Sequence, residues 1–129
     1  MLNNPLANAL SKIMNAERLG RSSCTVKPVS KVIMQTLKIM QDNKFIGEIK
    51  ETEKRKGGAV RIELLGKINK CGVIRPPYSS KKDGFERFEQ KYLPAKGFGI
   101  LIVSTPYGIM TQENALKKES GGVLLAYCY

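Results

Sequence analysis

The sequence predicts an α+β protein built as two small lobes. The first is ordered α-β-α-β-β, and the second is mostly antiparallel β with short helices. Three observations carry this. Two stretches in the first 40 residues repeat apolar side chains at helical spacing: Leu6, Leu10 and Ile13, then Val29, Ile33, Leu37 and Met40. Ala59 to Leu65 alternates Val60, Ile62 and Leu64 with Arg61 and Glu63, the period of a half-buried strand. Beyond Gly97, short β-branched runs are separated by proline and glycine, as in an antiparallel sheet.

Taken in order, Asn4-Pro5 supplies a cap and a first helical residue, and Gly20 closes that helix. Ser23 to Lys27 is a short strand ended by Pro28. Ser30 caps the second helix, with Val29 placed to staple onto Met34, and Asn43-Lys44 closes it. Phe45–Thr52 and Ala59–Leu65 form a hairpin around a basic turn, although Gly47 weakens its first strand. These elements make up the first lobe, residues 1–65.

The second lobe, residues 66–129, begins with a hinge. Val73-Ile74-Arg75 is expected to be a strand that stops at Pro76-Pro77, followed by a polar loop from Tyr78 to Asp83. Phe85, Phe88 and Tyr92 fall on one face of a short helix ended by Leu93-Pro94. Interleaved aromatics and lysines also suit base stacking, but at helical spacing the stripe is read as core. Ile100 to Val103 is a buried strand, and Ser104-Thr105 leads into a turn at Pro106-Tyr107-Gly108. Thr111 caps a short helix carrying Ala115 and Leu116, which Gly121-Gly122 is expected to end. Val123 to Tyr127 is the last strand.

The chain of 129 residues is 42% hydrophobic, enough for a core, and carries a net charge of +11. The excess is even: residues 1–66 hold 12 basic and 6 acidic groups, and residues 67–129 hold 10 and 5. A polyanion is the partner such a balance suits, met across the molecule and not by a detachable tail. No apolar run reaches the ~20 residues of a transmembrane helix, and no signal-peptide pattern opens the chain. Three cysteines, Cys24, Cys71 and Cys128, lack C-x-x-C spacing, so reduced thiols in the cytoplasm are expected, with neither a disulfide framework nor a bound metal. There is no histidine, the usual general base. Phosphate-loop and dinucleotide-loop glycine patterns are missing too. The expectation is a protein without catalysis or cofactor.

The tract after Gly97 places two hydroxyls and bare turn backbone at the end of a rigid strand. That is either a hydrogen-bonded corner or a recognition tip for phosphates, sugars or bases. Strand alternation sends Ser104 and Thr105 to opposite faces, so one of the two can be structural. Read as Ser104-Thr105-Pro106-Tyr107-Gly108-Ile109-Met110-Thr111, then Ala115, Gly121-Gly122 and an apolar strand, the tract closely resembles the C-terminal signature of the small-subunit ribosomal protein S8 family. Asn4-Pro5 and Pro28-x-Ser30-Lys31 are similar to that family's earlier motifs. Lys67 to Ile74 resembles its archaeal and eukaryotic branch.

The resemblance implies a monomer when free, which binds an irregular stem in the central domain of the small-subunit rRNA beside neighbouring small-subunit proteins. It implies RNA contacts at Ser104, Thr105, Tyr107 and Gly108 on the tip, and at Ser30 and Lys31 on a helix N-terminus. The basic turn adds Lys54, Arg55 and Lys56. Ser30 and Lys31 are equally a helix cap and a solvated lysine, and the turn is better explained as an exposed charged loop. Two departures matter: Pro106 stands for the family's third serine, and Val123 stands where many bacterial members carry an acid. The competing class is a basic protein–protein adaptor in a larger ribonucleoprotein assembly, with incidental RNA contact.

Overall fold

The structure is a computed structural model, and it describes residues 5–27, 30–53, 58–95 and 97–129. Its elements run α1 (Pro5–Arg18), β1 (Ser23–Val26), α2 (Lys31–Asp42), β2 (Ile46–Glu53), β3 (Ala59–Leu64), β4 (Cys71–Ser80) and a 3-10 turn (Lys82–Gly84). They continue with α3 (Phe85–Tyr92), β5 (Ile100–Thr105), β6 (Gly108–Thr111), α4 (Gln112–Lys117) and β7 (Gly122–Cys128). The α+β class expected from the sequence is observed. Contacts gather into two compact units, one ending at Lys70 and one beginning at Cys71.

In the first unit the antiparallel sheet has the order β1-β3-β2. α1 packs on β1, α2 on β2, and the helices on each other. The helical and strand periods meet in one core: Leu10 and Ile13, then Ile33, Leu37 and Met40, against Val26, Ile46, Val60 and Ile62. Each such side chain stabilises the fold by about 1.5–3 kcal/mol on burial. The polar alternates of the sheet, Thr25, Lys50, Arg61 and Glu63, are exposed. Gly47 lies where β2 carries one extra residue between the Ile46–Leu64 and Ile49–Ile62 pairs, a bulge that glycine accommodates.

Both helices close with the same paired hydrogen bonds. Around Gly20 (φ 70°), Arg21 N–H donates to the Ala16 carbonyl at 3.0 Å. Around Lys44 (φ 64°), Phe45 N–H donates to the Met40 carbonyl at 2.9 Å. The cap expected at Asn4, the Val29 staple and the basic turn at 54–57 lie outside the described residues.

In the second unit the antiparallel sheet has the order β4-β7-β5-β6. One core cluster joins Ile74, Leu101, Val103, Met110 and Leu124 to Phe85, Leu93 and Ala115. The aromatic stripe of α3 belongs to it, since Phe85 is buried while Phe88 and Tyr92 are packed against it. Tyr92 also stacks on Tyr127 with ring centroids 5.3 Å apart.

Two expectations are corrected here. β4 does not stop at Pro76-Pro77, and Tyr78 to Ser80 is strand, not loop. The register between Val73 and Tyr78 is irregular, and β4 is an edge strand, so prolines without N–H groups break no regular ladder. Nor does the glycine pair end α4. Glu119 (φ 54°) does so, with Ser120 N–H donating to the Ala115 carbonyl at 2.9 Å. Gly121 and Gly122 are required instead for close approach. A Cβ at 121 would meet the Ser80 carbonyl, and one at 122 the Ser104 carbonyl, as β7 enters between β4 and β5.

Thr36 is wholly buried in α2, and its hydroxyl has no partner among the described residues. Leaving such a group unsatisfied costs about 1–3 kcal/mol. Thr36→Val keeps the branched shape and removes the hydroxyl, so urea unfolding should show a gain of about 1 kcal/mol. A loss would show that the hydroxyl finds a partner in solution. Gly122→Ala should instead cost about 1–3 kcal/mol, the usual penalty of overpacking, read in the same titration. Wild-type stability would mean that β7 shifts freely.

Candidate nucleic-acid interface

The β5–β6 hairpin is where the sequence-predicted tip residues come together. Thr105 pairs with Gly108 across the turn Pro106-Tyr107. Proline fixes a negative φ at the first turn position, which rules out the primed turns usual for so short a loop. Gly108, at φ 122°, takes up the mismatch in a conformation that side chains resist.

Thr105 locks this turn from within. Its side chain is buried, and its Oγ1 donates to the Gly108 carbonyl at 2.8 Å and accepts from Tyr107 N–H at 3.1 Å. That hydroxyl is committed to holding the tip. Ser104 differs. It is half-buried on the other face of the strand, between its cross-strand partners Val123 and Ile109. Its hydroxyl has no hydrogen-bond partner among the described residues. Because Val123 is apolar, no acid at that position competes for it. The turn therefore divides the two hydroxyls into a structural one and an available one, as alternation allowed.

Tyr107 is 68% exposed, and Gly108 has open space on its Cβ side. The Lys118 ammonium lies 5.4 Å from the Tyr107 ring centroid. Sequence reasoning passed over Lys118, because a pairing across α4 leaves no periodic mark. It also missed Gln112, whose buried side-chain Oε1 accepts from Leu101 N–H at 2.8 Å. β6 pairs only as far as Thr111, opposite Ile102, so Gln112 serves the β5 N–H next beyond. Thr111 caps α4 as expected, accepting from Asn114 N–H at 3.3 Å.

Away from the tip, Ser30 and Lys31 are exposed at the start of α2. Ser30 Oγ accepts from Ile33 N–H at 3.3 Å, and the first turn holds no acidic residue, which leaves the positive helix end unneutralised. Lys54, Arg55 and Lys56 lie outside the described residues. Burial pushes the Cys24 thiol up, with Lys12 opposing and Glu17 adding to the rise. That is the reverse of an activated nucleophile. Among the described residues no group of three or more metal-ligating side chains converges, and no helix is long and apolar enough to cross a membrane.

A basic α+β chain with an internally locked hairpin has the charge and the polar surface that suit a polyanion-binding protein, RNA-binders among them. The family model of ribosomal protein S8 matches residues 4–129, and the chain belongs to that family. It is thus a small-subunit ribosomal protein that binds rRNA and meets neighbouring ribosomal proteins. The family is structural and not enzymatic.

The split between the hydroxyls is testable without RNA. Thr105→Val should lower unfolding free energy by about 1–2 kcal/mol, because two backbone partners lose their bond. Ser104→Ala should stay within about 0.5 kcal/mol of wild type. Equal losses in urea titrations would show that both hydroxyls are structural.

Proposed function

We propose that the chain is a primary rRNA-binding protein of the archaeal and eukaryotic branch of its family. In this reading it holds an irregular stem in the central domain of the small-subunit rRNA and supports subunit assembly. The observation that carries the reading is the locked hairpin, which leaves Ser104 Oγ unclaimed at the end of a rigid strand. A regular A-form helix hides its base edges in a deep, narrow groove, so proteins recognise irregular loops, backbone shape and 2′-hydroxyls. A small, preorganised tip suits that target because little entropy is lost on docking.

The two lobes divide the work. Residues 1–65 brace the phosphate backbone through Ser30 and Lys31 at the α2 N-terminus, and through the Lys54-Arg55-Lys56 turn. Residues 66–129 carry selectivity, with Ser104, Tyr107 and Gly108 in contact and Thr105 setting their geometry. The even spread of basic charge between the halves supports contact with the RNA by both lobes.

Counterion release provides the test. Affinity for an isolated central-domain rRNA fragment should fall with salt, with a logarithmic slope of roughly −3 to −6 at about −0.7 to −0.9 per phosphate. A flat salt dependence would sink the backbone-bracing role. Footprinting on naked rRNA separates the competing class: an adaptor protects nothing without a protein partner, whereas a primary binder protects the stem alone.

A further inference from the structure

We infer that Tyr107 is a stacking platform for one unpaired base of the bound RNA, with Lys118 backing the ring and facing the adjoining phosphate. The inference rests on the RNA-binding reading above and assigns a chemical role to one residue of that site. Tyr107 stands at the apex of the hairpin with 68% of its surface exposed. No other aromatic ring pairs with it among the described residues, whereas Tyr78, Phe88, Tyr92, Tyr127 and Tyr129 all have ring partners. Its ring instead faces a cation, Lys118 Nζ at 5.4 Å from the centroid. A cation over one face of an aromatic ring is attracted by its quadrupole and restrains its orientation. The opposite face remains for a flat ligand.

The backbone beneath the ring is fixed as well. Tyr107 N–H is bonded to Thr105 Oγ1, and Pro106 precedes it. Tyrosine has few rotatable bonds, so a ring restrained at its backbone and its face loses little freedom on binding. Lys118 follows Lys117 at the end of α4, so the helix end that reaches the ring is basic. An exposed aromatic set among cations is the arrangement that stacks nucleobases, because every base offers a π-face and every nucleotide a phosphate. The selectivity that results is for accessibility. Bases in a regular duplex are already stacked on one another, and those of an irregular stem can be splayed outward.

The chain contains no tryptophan, so Tyr107→Trp places a single reporter at the apex. Full-length variants would be titrated against the irregular central-domain stem and against a regular duplex of equal length, after circular dichroism and melting show them folded. Tyr107→Phe should bind the stem as wild type does, since stacking uses the ring and not the hydroxyl. Tyr107→Ala should bind it about tenfold or more weakly, the scale of one lost base–aromatic stack, with duplex binding unchanged. Emission of the Tyr107→Trp variant should be quenched by the stem and not by the duplex. The inference is overturned if the alanine variant binds like wild type, if phenylalanine loses as much as alanine, or if the tryptophan emission ignores the stem. Should wild type itself fail to prefer the stem, the proposed function falls and this contact with it, a result seen before any variant is compared.

Discussion

The antiparallel ladder between β5 and β7 is the constraint on which the C-terminal unit depends. It sets Leu101 and Val103 beside Tyr127 and Leu124, so the two strands share one core face. α3 and α4 then close that face with Phe85 and Ala115. The same ladder positions Ser104 opposite Val123, and the preceding residue of β7, Gly122, comes against the Ser104 carbonyl. The entry of β7 and the β5–β6 hairpin are therefore coupled through a few backbone atoms. The rest of the hairpin is short, and its geometry is inherited from this pairing and from the internal bonds of Thr105.

Features governed by local periodicity were legible in the sequence. α1, α2 and β3 declare themselves because their apolar faces repeat at 3.6 or 2 residues, and the burial of Leu10, Ile33, Val60 and Ile62 follows. The α3 stripe was legible as core for the same reason. What escaped depends on partners remote in sequence. Pro76-Pro77 reads as a stop, but an edge strand with an irregular register absorbs it. Gly121-Gly122 reads as a helix end, because glycine favours both the left-handed cap and the close crossing of strands, and only the neighbouring chain tells which.

The tip shows the same limit at the scale of one side chain. Alternation separates Ser104 from Thr105 but does not say which face the turn will use. The answer lies in which hydroxyl can reach the backbone two and three residues ahead, and Thr105 does so. Lys118 illustrates the opposite case. Nothing in its sequence position marks it, and only the return of α4 along the hairpin brings it to Tyr107.

The bonds that lock the hairpin have a consequence for how the chain can change. Thr105 holds the main-chain N–H of residue 107 and the main-chain carbonyl of residue 108, and neither bond involves the side chain at the apex. Most residues can occupy position 107 and receive the same lock. The scaffold and the apex side chain are thus separable: residue 107 can drift or be redesigned while the hairpin beneath it keeps its shape. A tip built in this way is evolvable at one position without refolding the lobe that carries it.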